Sequence, residues 1–210
     1  MSTVTVRGSA LAAVTPDRAQ LGLALTHLAA DAAAALDEVA ERSQQLEQIL
    51  AGHGLTRSDW ATDGVQIAEE YQWKNDSNVL VGHRATSALS VTLRSADLVG
   101  AVIRDAVTST GATVRGLEWR VDADNPARRD LLAAAARDAR VRATAYAEAL
   151  ALRLGEVDMI SELPPAIDGP SPQPRQMMAM AKTADSAELS VSGGLVELGA
   201  EVFVRFALLP

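Results

Sequence analysis

Apolar positions recur at two spacings along this chain, every second residue in some stretches and every third or fourth in others, and the changes of spacing mark out its elements. Residues 3–7 and 19–28 read as strands, the second setting Leu21, Leu23 and Leu25 on one face, with Thr15, Pro16 and Asp17 as a turn before it. The spacing then predicts a helix from an N-cap at Asp31 to Leu50. Leu36, Val39, Ser43, Leu46 and Leu50 share its apolar stripe, and Gly52 or Gly54 ends it. Residues 65–71 and 79–94 form the arms of a hairpin around the polar turn at 74–78. In the second arm Ala85, Ser87, Leu89, Val91 and Leu93 alternate with Arg84, Thr86, Ser90, Thr92 and Arg94, the pattern of a strand with one wet face.

A second helix opens at Ser95, buries Leu98, Val99, Val102, Ile103 and Ala106, and closes at Gly111. The strand after it presents Leu117, Trp119 and Val121 on one side. The third helix starts at Asn125 as N-cap, with Pro126 at the first helical position, where its missing N–H costs nothing. Its stripe is Leu132, Ala135, Ala139, Ala143, Tyr146 and Leu150, Asp138 reaches Arg142 one turn on, and Gly155 supplies the left-handed stop. Residues 157–161 return to a sheet. Five prolines between Pro164 and Pro174 then disfavour helix and central strand alike, so residues 164–187 are expected to be a flexible, Pro- and Met-rich excursion. The chain closes with Val202, Val204, Phe206 and Leu208 alternating with Glu201, Phe203, Arg205 and Ala207, a pattern suited to a central or an interface strand.

These elements assemble most simply as one domain over residues 1–210. The fold class expected is α+β, an antiparallel sheet covered on one face by three helices. Of the 210 residues 48% are hydrophobic but only 3% aromatic, which favours closely packed alanine-rich helices over a thick aromatic core. The net charge of -8 opposes binding to a phosphate backbone or an anionic membrane, so no nucleic-acid partner is expected. The nearest approach to a spanning apolar run, at residues 29–36, is broken by Asp31 and is too short to span a bilayer, so no membrane insertion is expected. The first fourteen residues carry neither a long apolar core nor a cleavage motif, which reads as a cytoplasmic chain. The absence of cysteine removes disulfides, thiolate nucleophiles and the common zinc sites.

Taken in order, several segments resemble the SIMPL-domain family, which includes bacterial periplasmic immunogenic proteins and oxidative-stress-defence proteins. VTVRGSALAAVTPDRAQLGLAL resembles the family's opening strand, with its Pro-Asp-x-Ala step at Pro16, Asp17 and Ala19. GLTRSDWATDGVQI resembles the joint after the first helix, and VGHRATSALSVTLRSADLVGAVIRDAV resembles the family's G-Y-R-A-S strand and second helix, with His83 where tyrosine is usual. The third helix through Leu154, Gly155 and Val157 resembles the alanine-rich helix with its Leu-Gly-x-Val exit, and GGLVELGAEVFVRFAL resembles the closing strand. The resemblance implies a tendency to form symmetric homo-oligomers, a link to oxidative-stress tolerance and to protein partners, and no established enzymatic activity. Many members of the family carry export signals.

No pattern of residues composes a catalytic or cofactor site. His27, His53 and His83 lack a second histidine or carboxylate at metal-ligand spacing. Glu118, Asp122 and Asp124 offer carboxylates to a hard cation but sit where a helix N-terminus favours negative charge. Arg128, Arg129, Arg137, Arg140 and Arg142 spread around their helix among Asp130 and Asp138, as on a solvated, salt-bridged face. The serines show no nucleophile elbow and the glycines no phosphate loop, so a non-enzyme without cofactor is expected. Met177, Met178 and Met180 are the unusual feature: a docking segment, or weakly a soft-metal site for Cu(I). With Phe203 and Phe206 they are the candidate interaction residues of a homo-oligomeric assembly protein. The alternative is a small-ligand or soft-metal binding module with the methionine tract as lid.

Overall fold

The computed structural model describes residues 2–74, 76–164 and 192–210. Its elements run β1 (Thr3–Val14), β2 (Arg18–Ala29), α1 (Ala32–Gly52), a 3-10 turn (Arg57–Asp59), β3 (Trp60–Lys74), β4 (Ser77–Leu93), α2 (Ala96–Thr110), β5 (Thr113–Arg120), α3 (Pro126–Ala149), β6 (Arg153–Ser161) and β7 (Val196–Leu209). The α+β class is the one expected, and the strands divide between two antiparallel sheets, β3-β4-β2-β5 and β1-β7-β6. Two compact units result: described residues 15–122 with 192–194, and described residues 2–14, 123–164 and 195–210. The Pro- and Met-rich excursion falls almost wholly outside the described residues.

In the four-stranded unit, β2 pairs with β4 so that Leu21 faces Val91, Leu23 faces Leu89 and Ala19 faces Leu93. α1 and α2 close this face, and Val39, Leu46, Leu50, Val99 and Val102 join the strand leucines in a core with almost no solvent contact. Each such leucine contributes about 1.5–3 kcal/mol of transfer free energy. Asp31 caps α1, its Oδ1 accepting the Ala34 N–H at 2.9 Å. The inward row of α1 is Ala35, Val39, Leu46 and Leu50, so Leu36, expected in the stripe, sits about 100° round the helix and is exposed. Ser95 precedes α2, and Gly111 ends it in the left-handed region at φ 67°. Of the expected α2 row, Val99, Val102 and Ala106 are buried, while Leu98 and Ile103 are partly covered.

The three-stranded unit is built on α3. Asn125 caps it, Oδ1 accepting the Ala127 N–H at 2.9 Å. The buried row is Leu131, Ala135, Ala139, Ala143 and Ala147, a strict i, i+4 series. This corrects the stripe read from sequence: Ala135, Ala139 and Ala143 stand in it, but Leu132, Tyr146 and Leu150 are exposed. The reason is the closeness of the packing. A Cβ on Gly8 of β1 would lie 2.0 Å from the Ala135 carbonyl oxygen and 2.7 Å from the Ala139 Cβ, so the helix meets the strand backbone with methyl groups and has no room for larger side chains. Val6, Val202, Val204 and Phe206 complete this core. The helix also ends earlier than expected. Ala151 takes the left-handed conformation at φ 56° and Leu152 N–H returns to the Ala147 carbonyl at 2.9 Å, whereas Gly155 lies within β6.

Candidate functional site: the open face of the β3–β4 hairpin

β3 is the edge strand of its sheet and is longer than the sequence pattern suggested, beginning at Trp60, which is buried opposite Val91. Beyond Trp60 nearly the whole strand is exposed. Cross-strand partners share a face, and Val65 pairs with Ser87 and Ile67 with Ala85, both on the core side of β4. Val65 and Ile67 therefore point to the side of the sheet that α1 covers further in, but α1 packs on β2 and β4 and leaves β3 uncovered beyond Trp60. Alternation carries the same face through Glu69 and Tyr71 to Trp73, and the irregularity between Glu70 and Tyr71 brings Leu80 opposite Tyr71. Val65 is 53% exposed, Ile67 44%, Tyr71 49%, Trp73 69% and Leu80 46%.

The reverse face of the same strand is largely polar. Gln66, Ala68, Glu70 and Gln72 lie there, and Arg84 Nε donates to Glu70 Oε2 at 3.0 Å. That pair holds the Glu70 carboxyl below its ordinary value and the Arg84 guanidinium above its own. On the apolar face the single carboxylate, Glu69, accepts the Tyr71 hydroxyl at 2.5 Å, which pushes the phenol's pKa up. The hairpin thus has one largely polar face, on which Val79 opposite Gln72 is the exposed apolar exception, and one apolar face that the described residues leave without a cover.

The polar clusters elsewhere are structural in form. His53 Nε2 meets Asp105 Oδ2 at 2.8 Å and ties the end of α1 to α2, and His83 Nδ1 lies 3.3 Å from the Ala30 carbonyl oxygen. His27 is partly covered on β2, opposite Ala85. Asp122 is held by Arg18 Nη1 at 2.8 Å and Arg94 Nη1 at 3.3 Å, and Glu118 by Arg120 Nη2 at 2.7 Å, so arginines occupy two of the three carboxylates considered for a cation. Among the described residues no three His, Cys, Asp or Glu side chains gather as metal ligands. Arg128, Arg129, Arg137, Arg140 and Arg142 are all exposed on α3, with Arg142 Nε donating to Asp138 at 2.8 Å. A groove of about 500 Å³ between α3 and β7 is lined by Leu131, Leu132, Leu198 and Glu162.

Of the interaction residues read from sequence, Phe206 packs in the α3 core and Phe203 is partly covered on the opposite side of β7. Met177, Met178 and Met180 lie outside the described residues. Sequence reasoning did not single out Ile67, Tyr71, Trp73 or Leu80, although the alternation from Val65 to Trp73 was there to be read as a strand with one apolar side.

Helix-backed antiparallel sheets and a hairpin whose aromatic-bearing face is left open among the described residues define an α+β protein. The chain belongs to the SIMPL family, described as "Protein of unknown function (DUF541)", which matches residues 4–206. It is 26% identical over 208 residues to "Uncharacterized protein YggE" of Escherichia coli (strain K12), covering 99% of this chain and 83% of that one. It is 26% identical over 215 residues to the "26 kDa periplasmic immunogenic protein" of Brucella melitensis biotype 1, covering 98% and 84%. The match to "Uncharacterized protein YggE" of Edwardsiella ictaluri is 27% identical over 155 residues, 73% of this chain and 65%, just under two thirds, of the relative. None of these relatives has an enzymatic name, and the periplasmic name of one lends no support to the cytoplasmic placement read from the first residues. Among the described residues no helix is long and apolar enough to cross a membrane.

Proposed function

We propose that this chain is a non-enzymatic, homo-oligomeric assembly protein of the SIMPL family, acting through contacts between proteins. The observation that carries the reading is the β3–β4 hairpin, a strand pair patterned to bury one face and given no cover by its own helices. An apolar face in the upper part of the range of a monomer's largest patch, on a chain of net charge -8, supports a contact surface, since such largest patches are often functional. Membership of a family whose relatives bear no enzymatic name supports the same reading. The test is the mass of the intact chain by light scattering after size exclusion at about 10 µM, a concentration at which a specific interface is populated. A discrete multiple of 22.0 kDa is expected, and a strict monomer overturns the proposal. The stress-tolerance role implied by the resemblance belongs to the same proposal. Cells deleted for the chain should survive peroxide less well, with rescue by the wild type, and equal survival removes that part.

A further inference from the structure

We infer that the apolar face of the β3–β4 hairpin packs face to face on the same hairpin of a second copy, rather than adding a strand at the β3 edge; this rests on the assembly reading above. The edge and the face of β3 differ in what they offer. The edge bulges at Asp63, between Thr62 and Gly64, its pairing shifts again at Glu70/Tyr71 where β4 holds the extra residue Val81, and it carries Asp63, Glu69, Glu70 and Lys74. Bulges and charges of this kind keep an exposed strand from pairing with another backbone. The face carries Val65, Ile67, Tyr71, Trp73 and Leu80, broken by one carboxylate that its own tyrosine already engages. Side chains that alternate this regularly against a polar reverse face are the inner layer of a sheet-on-sheet contact.

The area says what size of occupant fits. Weighted by their exposures, the five side chains leave on the order of 500 Å² of apolar surface, the upper part of the range for a monomer's largest patch. Two copies of the stripe brought together bury about 1,000 Å², which is where a specific interface begins. The charge points the same way. A chain of net charge -8 repels its own copy unless the touching surface is nearly neutral, and this stripe holds one acidic group across from His83. A strongly charged partner finds no complement on it. A two-fold contact needs a self-complementary surface, and a neutral apolar stripe with an aromatic at its tip supplies one.

The experiment compares two double variants that add the same charge to opposite faces of one strand, Ile67→Lys with Trp73→Lys and Gln66→Lys with Gln72→Lys. Mass is read against concentration by light scattering, with circular dichroism and thermal unfolding to verify the fold; Trp73→Ser, which only removes an exposed side chain, serves as the milder variant. The apolar-face pair should dissociate the oligomer or halve it, raising the dissociation constant at least about thirtyfold as loss of one hot-spot residue does, with the polar-face pair near wild type. If both pairs keep the wild-type mass, or both lose it equally, the face contact is overturned while self-assembly stands. If the wild type is itself a monomer, the assembly reading falls and the inference with it.

Discussion

Replacing Gly8 by alanine tests whether α3 is set by the absence of a side chain on β1. The added Cβ would stand 2.0 Å from the Ala135 oxygen, 2.6 Å from the Ala139 nitrogen and 2.7 Å from the Ala139 Cβ. Non-bonded atoms need about 3.5 Å, so the helix must retreat by more than about 1 Å, and the obstructing atoms are helix backbone that cannot rotate aside. Retreat loosens Val6, Val202, Val204 and Phe206 beneath it and draws Asp138 away from the Ser9 N–H, now 2.9 Å from its carboxylate. Overpacking in a well-filled core costs about 1–3 kcal/mol, and with a shared backbone obstruction the upper end is the expectation, about 3 kcal/mol. For a chain of this length that lowers Tm by about 6–12 °C. Thermal unfolding by circular dichroism reads it, with Gly22→Ala as control, since a Cβ there meets nothing nearer than 3.5 Å. A Gly8→Ala protein within about 0.5 kcal/mol of wild type would refute the close-packing account of this unit.

The exposures of the two helix rows give a paired test. Leu50→Ala should cost about 2–5 kcal/mol and Leu132→Ala well under 1 kcal/mol in denaturant unfolding, and equal costs would restore the stripe read from sequence. Ala151→Gly should stabilise by about 0.5–1 kcal/mol by relieving the left-handed strain at φ 56°, and a loss of stability would contradict that conformation. The Ser9 N–H and then Arg142 hold the Asp138 carboxyl below its ordinary value. A folded pKa below the unfolded one means stability that is fully present above the unfolded value and is lost as pH falls through the folded value. The Tm gap between wild type and Asp138→Asn should therefore be steady above about pH 5 and close on acidification, whereas a gap independent of pH would rule the ionised contact out.

The parts of the fold legible in the sequence are those whose pattern answers to the chain's own packing. β4, with Ala85, Ser87, Leu89, Val91 and Leu93 inward, was plain because α1 and α2 cover that face, and the caps at Asp31 and Asn125 were plain because the bonds they make are local. The inward row of α3 was misread because hydrophobicity favoured Leu132, Tyr146 and Leu150, whereas the spacing that decides is set by Gly8 in a strand more than a hundred residues away. The division of strands between two sheets was equally out of reach, since β1 and β7 lie at the two ends of the chain and pair along their full length, Thr3 with Ala207 through Val14 with Val196. No local period reports such a pairing.

The hairpin shows a different limit. From Val65 to Trp73 the period-two pattern states that one face of β3 is kept from water, and it is silent about what does the keeping. On β4 the same pattern is met by the chain's own helix. On β3 the helix stops short, and among the described residues nothing else covers that face. A strand shaped merely to finish its sheet would have no reason to keep tryptophan and tyrosine on one side and glutamines on the other once the helices had ended. The pair of lysine variants on opposite faces separates these cases: a strand that only finishes its sheet tolerates charge on either side alike, and one that meets a partner does not.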